Sequence, residues 1–230
     1  MPDCLSILIP AYNEEDSIKD VLSEIYSMDF KIPHEVIVVD DGSTDNTTER
    51  VKIFRRKRKI RNLRIFRLKQ NMGKATAIKV AIKKSKNNII IIQDADGEYS
   101  PSEIPDLIKP ILCNMSSVVY GSRFMGNIES MKVTHRLGNI FLTTATRMLY
   151  NINITDMETG YKVFRREILE SINIETNGFL LEPELTAKIA RVGHKILELP
   201  ISFKERAKGE KKISWRDGIL ALICLIKFRF

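Results

Sequence analysis

Short, largely apolar runs rich in branched side chains recur through the first half of the chain, each halted by a polar turn. Leu5–Pro10, Glu35–Val39, Leu63–Leu68, Ile89–Gln93 and Val118–Gly121 have this form, which is that of strands buried on both faces of a parallel sheet. Between them lie helical stretches over about residues 14–28, 45–58, 73–85 and 102–112. The alternation predicts βαβ units, with a mostly parallel sheet between layers of helices in an α/β domain. After Arg123 the rhythm breaks. A helix over about 134–150 is followed by a turn-rich stretch, 151–160, and a strand at Tyr161–Phe164. A helix at Glu182–Val192, an edge strand at Lys195–Phe203 and a last helix from about Ser214 to Phe230 complete the chain.

The polar turns carry the candidate chemistry. Ile89–Gln93 runs into Asp94, Asp96 and Glu98, carboxylates that repel one another unless a cation sits among them. Mg²⁺ or Mn²⁺ is the expected occupant, because hard cations prefer carboxylate oxygens and arrive carrying phosphates. The first strand ends in Pro10-Ala-Tyr-Asn-Glu14. There Asn13 and Glu14 can accept from a base or ribose and Tyr12 can stack, although the same residues also suit a helix start. Val38-Val-Asp-Asp-Gly-Ser-Thr-Asp45 ends the second strand with a carboxylate placed for a uracil N–H or ribose hydroxyls. Its Ser43, Thr44 and Asp45 equally suit an N-cap. Lys69–Thr76 places Gly73 and Lys74 at a helix N-terminus, where backbone N–H groups and one ammonium can hold phosphate. The spacing is not that of a P-loop.

Composition narrows the partners. Among 230 residues, Lys and Arg outnumber Asp and Glu by 37 to 29, giving a net charge of +8. That excess favours anionic partners such as nucleotides, lipid phosphates and membrane surfaces. No nucleic-acid-binding motif accompanies it, and aromatic residues are sparse, so nucleic acid is not an expected partner. Cys4, Cys113 and Cys224 lack the spacing of a thiolate site and suggest a reducing compartment. No signal peptide is expected before the first strand, nor an apolar run of the ~18 residues that span a bilayer.

PAYNE, VVDDGSTD, NMGKA and DAD, in this order and at these spacings, resemble the GT-A nucleotide-sugar domain of family 2 inverting glycosyltransferases. The second half is similar to the polyprenyl-phosphate branch, which includes the dolichol-phosphate mannose synthases and their glucosyl relatives. The resemblance there rests on GSR at 121–123, DMETGYK at 156–162, the stretch 181–206 and GEKKISWRDGI at 209–219. It implies a nucleotide-sugar-binding GT-A half over 1–125, an acceptor-binding half of the same domain over 126–213, and an amphipathic helix over 214–230. Pro10, Tyr12, Glu14 and Asp41 would hold the nucleoside, with Gly73 and Lys74 beside the phosphates. Asp94, Asp96 and Glu98 would hold the metal and diphosphate. Arg123, Arg136, Arg206 and Lys212 would grip an acceptor phosphate, and Asp156 and Glu158 would line the sugar site. A Q-x-x-R-W motif of processive polysaccharide synthases is absent, since Trp215 follows Lys-Ile-Ser.

The resemblance implies metal-dependent transfer of a hexose, from a GDP-mannose or UDP-glucose type of donor, to a polyprenyl (dolichyl) phosphate. The alternative is a soluble family 2 transferase acting on a glycan, a protein or a small molecule. Two basic features bear on the choice. The run Arg55–Arg61 suits a solvated helix end or a membrane-surface contact. The last helix places Trp215, Ile219, Leu222, Ile223, Ile226 and Phe230 on one stripe flanked by Lys227 and Arg229. Such a stripe packs on the domain or a partner, or lies in a membrane interface. The expectation is a peripheral enzyme of the cytoplasmic membrane face, with a membrane protein or a second copy of the chain as further partners.

Overall fold

The computed structural model describes residues 2–206 and 215–230. Strands β1 (Leu5–Ala11), β2 (His34–Asp40), β3 (Leu63–Arg67), β4 (Ile89–Ile92), β5 (Val118–Ser122), β7 (Lys162–Arg165) and β8 (Leu197–Pro200) form one sheet. Their order is β3-β2-β1-β4-β7-β5-β8. Alternate residues of each strand enter opposite core layers, as a period of two demands. Leu5, Ile7, Ile9, Val36, Val38, Ile89 and Ile91 face one layer, which is closed by α1 (Ile18–Ile25), α2 (Thr47–Lys57) and α4 (Ile104–Leu112). Leu8, Ile37, Val39, Ile90 and Ile92 face the other, closed by α3 (Lys74–Lys84), α6 (Arg166–Ser171) and α7 (Leu181–Arg191). The mostly parallel α/β sheet expected from the pattern is therefore present.

Three features depart from the pattern. Helix α1 begins at Ile18 rather than near Glu14, because residues 14–17 turn and the Ile18 N–H donates to the Glu14 carbonyl at 3.0 Å. Strand β7 inserts antiparallel between β4 and β5, pairing Lys162 with both Ile92 and Tyr120. Its start therefore lies at the edge where the parallel strands end, and it brings the turn 156–160 there. Finally, β6 (Ile128–Ser130) and β9 (Phe203–Lys204) make a small parallel sheet of their own. The stretch expected as one edge strand, Lys195–Phe203, is split between β8 and β9.

Helix α8 (Trp215–Arg229) packs on α5 (Val133–Tyr150) and α7 through Ala221, Cys224, Leu225 and Phe228, and the Tyr150 hydroxyl donates to the Leu225 carbonyl at 2.6 Å. Its other face leaves Ile219, Leu220, Ile223, Ile226 and Phe230 exposed. Leu222 is half-buried, so the outward face keeps Ile219, Ile223, Ile226 and Phe230 of the stripe drawn on the sequence and takes Leu220 in place of Leu222. Helix α5 exposes Val133, Leu137, Ile140, Phe141 and Met148, a second outward apolar face with no counterpart in the sequence reading. Among the described residues no helix is long and apolar enough to cross a membrane.

Candidate active site

The carboxyl ends of β1, β2 and β4 stand side by side, and their loops are laced together. Asn13, held in the left-handed region (φ 55°), accepts from the Thr44 N–H at 2.8 Å, and its own N–H donates to Ser43 Oγ at 3.0 Å. The Glu14 N–H donates to Thr47 Oγ1 at 2.8 Å and the Glu15 N–H to Asp45 Oδ2 at 3.1 Å. Asn13, Ser43 and Thr44 thus join two loops, while Asp45 also caps the start of α2, its Oδ1 accepting from the Thr47 N–H at 2.9 Å. Asp41 is buried and accepts from the Met72 and Gly73 N–H groups, at 2.8 and 2.7 Å. Its carboxylate orders the turn into α3, and the Gly73 N–H expected to face a phosphate is spent on it. Gly73 itself has φ +91°, and a Cβ there would lie 2.6 Å from the Gly178 Cα. Tyr12 is half-buried beside buried Pro10, with Glu14 buried two residues on.

The loop after β4 holds the acidic cluster. Asp94 and Asp96 are half-buried, and the Glu98 N–H donates to Asp96 Oδ1 at 3.1 Å. Burial, then the neighbouring charges of Asp94 and Glu98, pushes the Asp96 carboxyl up to about 7. Burial likewise raises Glu98, against the hydrogen bond it accepts from the Arg206 N–H. Lys74, expected at a phosphate, instead bridges two carboxylates, with Nζ 2.8 Å from Asp94 Oδ1 and 2.9 Å from Glu182 Oε1. Burial opposes its charge, yet Asp94 and Glu182 hold its pKa well above the usual lysine value. The turn 156–160 lies directly against this pair: a Cβ on Gly160 would overlap Asp94 Oδ2 and stand 3.2 Å from Lys74 Nζ.

The arginines are placed differently from one another. Arg123 is buried and grips Asp156 with a fork, Nε to Oδ2 and Nη2 to Oδ1, both at 2.7 Å, while its N–H donates to Oδ2 at 3.0 Å. Asp156 is fully buried, so it braces this arginine where an open sugar-lining position was expected, and Arg123 presents no free fork to an acceptor. Arg206 is half-buried and sits on the donor side. Its Nη1 donates to Glu14 Oε2 at 2.6 Å and its N–H to Glu98 Oε1 at 3.3 Å. Arg136 is exposed on the first turn of α5. Lys212 and the side chain of Trp215 lie outside the described residues.

The cleft is thus lined by more carboxylates than cations. Among the described residues no three His, Cys, Asp or Glu side chains converge as a metal cage, in contrast to the trio expected from the sequence. Asp94 is instead paired with Lys74, whose Nζ stands 2.8 Å from Oδ1. The donor chemistry still fits Mg²⁺ or Mn²⁺: a hard cation takes one or two carboxylates and completes its shell with substrate phosphate. It would also favour the ionised form of Asp96, whose carboxyl burial first, and the charges of Asp94 and Glu98 second, push up to about 7.

Three residues here escaped the sequence reading. Glu182 is one acid among several in the first turn of α7, and Lys162 one cation in an apolar strand; only the latter's odd position hinted at a role. Lys162 is buried, with Nζ donating to the Met157 carbonyl at 3.0 Å and to that of Thr159. Burial lowers its pKa to about 8, against the pull of Glu182, Asp156 and Glu158. The buried Tyr99 hydroxyl accepts from the Gly160 N–H at 3.2 Å.

The model of glycosyl transferase family 2 matches residues 6–172. The chain is 28% identical to a dolichol-phosphate mannosyltransferase of Pyrococcus furiosus, over 91% of its own length and 59% of that relative's. With a dolichyl-phosphate beta-glucosyltransferase of Dictyostelium discoideum it shares 30% identity over 98% of its length and 74% of the relative's. In fold it is similar to a glucosyl-3-phosphoglycerate synthase of Mycobacterium tuberculosis, solved with Mn²⁺, uridine diphosphate and phosphoglyceric acid. The TM-score is 0.78 at 20% identity, over 99% of this chain and 78% of that one. A mostly parallel sheet ending in loops of carboxylates, matched by the family model over most of its length, makes this chain a member of glycosyl transferase family 2.

Proposed function

We propose that this glycosyltransferase moves a hexose from a nucleotide sugar to a polyprenyl phosphate at a membrane surface. The nucleoside is assigned to the crevice beside Tyr12 and Glu14, and the diphosphate to the mouth of the acidic loop at Asp96 and Glu98. A phosphate oxygen of the acceptor attacks the anomeric carbon as the carbon–oxygen bond to the nucleoside diphosphate breaks, which inverts that carbon. A lipid phosphomonoester, with a second pKa of about 6, is already an oxyanion at neutral pH, so the attack requires no strong base. A divalent cation at the acidic loop would neutralise charge on the departing diphosphate. The chain's own groups position the reactants. Arg206 is released from Glu14 when phosphate competes for its fork, and Arg136 stands at the acceptor side.

The observation that carries the lipid acceptor is the pair of outward apolar faces on α5 and α8, edged by exposed Lys132, Arg136, Arg147, Lys227 and Arg229. An apolar face rimmed by cations suits the interface of an anionic leaflet, where each cation contributes ~1 kcal/mol. The relatives named for dolichol-linked transfer support the same acceptor. The test is transfer from UDP-glucose and GDP-mannose, with Mn²⁺, to a short-chain polyprenyl phosphate in vesicles. Transfer that Asp96→Ala abolishes is the expected result. Turnover of a soluble acceptor with none to the lipid would overturn the reading in favour of a soluble transferase.

A further inference from the structure

We propose that Gln93 is the positioning residue of the acidic loop: its side-chain amide pinches the two ends of the loop 94–99 together and so presents Asp96 and Glu98 to a divalent cation. This rests on the metal reading of that loop and brings in a residue that touches neither the cation nor the nucleotide.

The first observation is a polar side chain where the strand calls for an apolar one. Gln93 directly follows the four isoleucines of β4 and is fully buried. Its N–H donates to the Leu8 carbonyl at 2.9 Å, which continues the pairing of β4 with β1 and fixes its backbone. Its Nε2 donates to the Asp94 carbonyl at 3.1 Å and to the Tyr99 carbonyl at 3.2 Å, so one amide holds the first and last residues of the loop. Two carbonyls can be met only by the nitrogen end of the amide, which turns Oε1 away from them. Among the described residues Oε1 is buried without a partner. An apolar side chain would carry no such cost, which points to the two donors as the use of this amide.

The second observation is that this clasp uses backbone carbonyls only and spends none of the loop's carboxylates. Ala95 and Tyr99 are buried in the core layer shared with α1 and α4, while Asp94, Asp96 and Glu98 stay half-buried. Tyr99 packs against both Tyr161 and Phe203, each ring centroid 5.4 Å from its own, so the far end of the loop is a fixed post. From the other side the Lys204 N–H donates to the Glu98 carbonyl at 3.1 Å. Between these anchors lies exposed Gly97, at φ +74° with open space around it, so no packing holds the tip. The Gln93 amide is therefore what closes the base of the loop. A cation that draws Asp96 and Glu98 together would otherwise have to order this backbone itself, at a cost to its affinity.

The test separates metal affinity from nucleotide affinity. Full-length wild type, Gln93→Met and Gln93→Asn are titrated with Mn²⁺ at saturating UDP or GDP, read by electron paramagnetic resonance of the unbound ion. The same nucleotides are titrated calorimetrically in EDTA. Gln93→Met keeps side-chain length and loses the donors. Gln93→Asn keeps a buried amide too short to reach both carbonyls, and it carries the test should Gln93→Met not fold. In each variant Mn²⁺ should bind about tenfold more weakly, the scale of losing a group that orients metal ligands, while nucleotide affinity in EDTA stays within about twofold. Equal weakening with and without metal overturns the proposal, by making Gln93 a support of the whole crevice. Unchanged Mn²⁺ affinity in the variants overturns the clasp alone. A wild type that binds nucleotide in EDTA yet gains nothing from Mn²⁺ overturns the metal reading, and the clasp with it.

Discussion

Charged side chains that the sequence marks as ligand contacts are, at the scale of single residues, largely occupied by one another. Arg123 and Asp156 form a buried bidentate pair, and removing one partner of such a pair leaves an unmatched buried charge. Asp156→Asn should therefore lower stability by about 3 kcal/mol or more in urea unfolding, whatever its effect on turnover. Glu158 gives a pH signature. Its carboxyl titrates near 4.5 in the unfolded chain and about 7 in the folded one, so the native state holds the extra proton between these values. Stability conferred by the protonated group is complete below pH 4.5 and is lost as pH rises toward 7. Glu158→Gln should accordingly gain on wild type across that window, by on the order of 2 kcal/mol at pH 7.5 relative to pH 4.5. Parallel unfolding curves at the two pH values would exclude the titration.

Elements place these residues through two devices, a close glycine contact and an antiparallel strand. Gly73 opens α3 at φ +91° with its Cα face against the Gly178 backbone, so Gly73→Ala meets both strain and overlap. The expected result is a loss of about 1–3 kcal/mol, with weaker nucleotide binding because Asp41 and Lys74 anchor on that turn. The second device is β7, which alone among the sheet's strands reverses direction and so delivers the turn 156–160 to the carboxylates. On the acceptor side, α8 buries one face and exposes the other, and removing it would uncover Ala187 and Leu142 as well as any membrane contact. Point substitutions on the outward faces are the cleaner probe. Leu137→Glu with Phe141→Glu on α5, and Ile223→Glu with Ile226→Glu on α8, should each cut sedimentation with anionic vesicles several-fold and leave the melting temperature nearly unchanged.

Across the whole molecule, the sheet separates the basic run from the outward apolar faces. The basic run Arg55–Arg61 begins in the last turn of α2, whose Val51 and Phe54 enter the core layer shared with α1 and α4. Helix α8 packs on α7, whose Leu181, Leu185 and Ile189 enter the opposite layer. A surface that contacts α5 and α8 therefore does not meet the basic run. Replacing Arg55, Arg56 and Lys57 by Gln should leave vesicle binding within twofold of wild type, while added salt weakens binding through the cations around α5 and α8. Loss of binding in the triple variant would make the run the membrane contact instead.

The sequence by itself determined most strands of the large sheet and the longer helices in their order, because strand and helix periodicities are local, but not the short β6 and α6 or the break between β8 and β9. It also marked the carboxylates at strand ends, since Asp41, Asp94, Asp96 and Glu98 each follow a buried run that must stop in a polar turn. Helix α8 was legible for the same reason, but not the apolar face of α5, whose exposure depends on which side α8 and α7 cover. The antiparallel insertion of β7 was equally invisible, because a four-residue run, Lys162–Arg165, carries no sign of direction. Only the tertiary structure decided which charges meet. Lys74 and Glu182 lie 108 positions apart, and Arg206 and Glu14 lie 192 apart. Such pairings leave no periodic trace, because each is fixed by the sheet order that folds distant loops onto one edge.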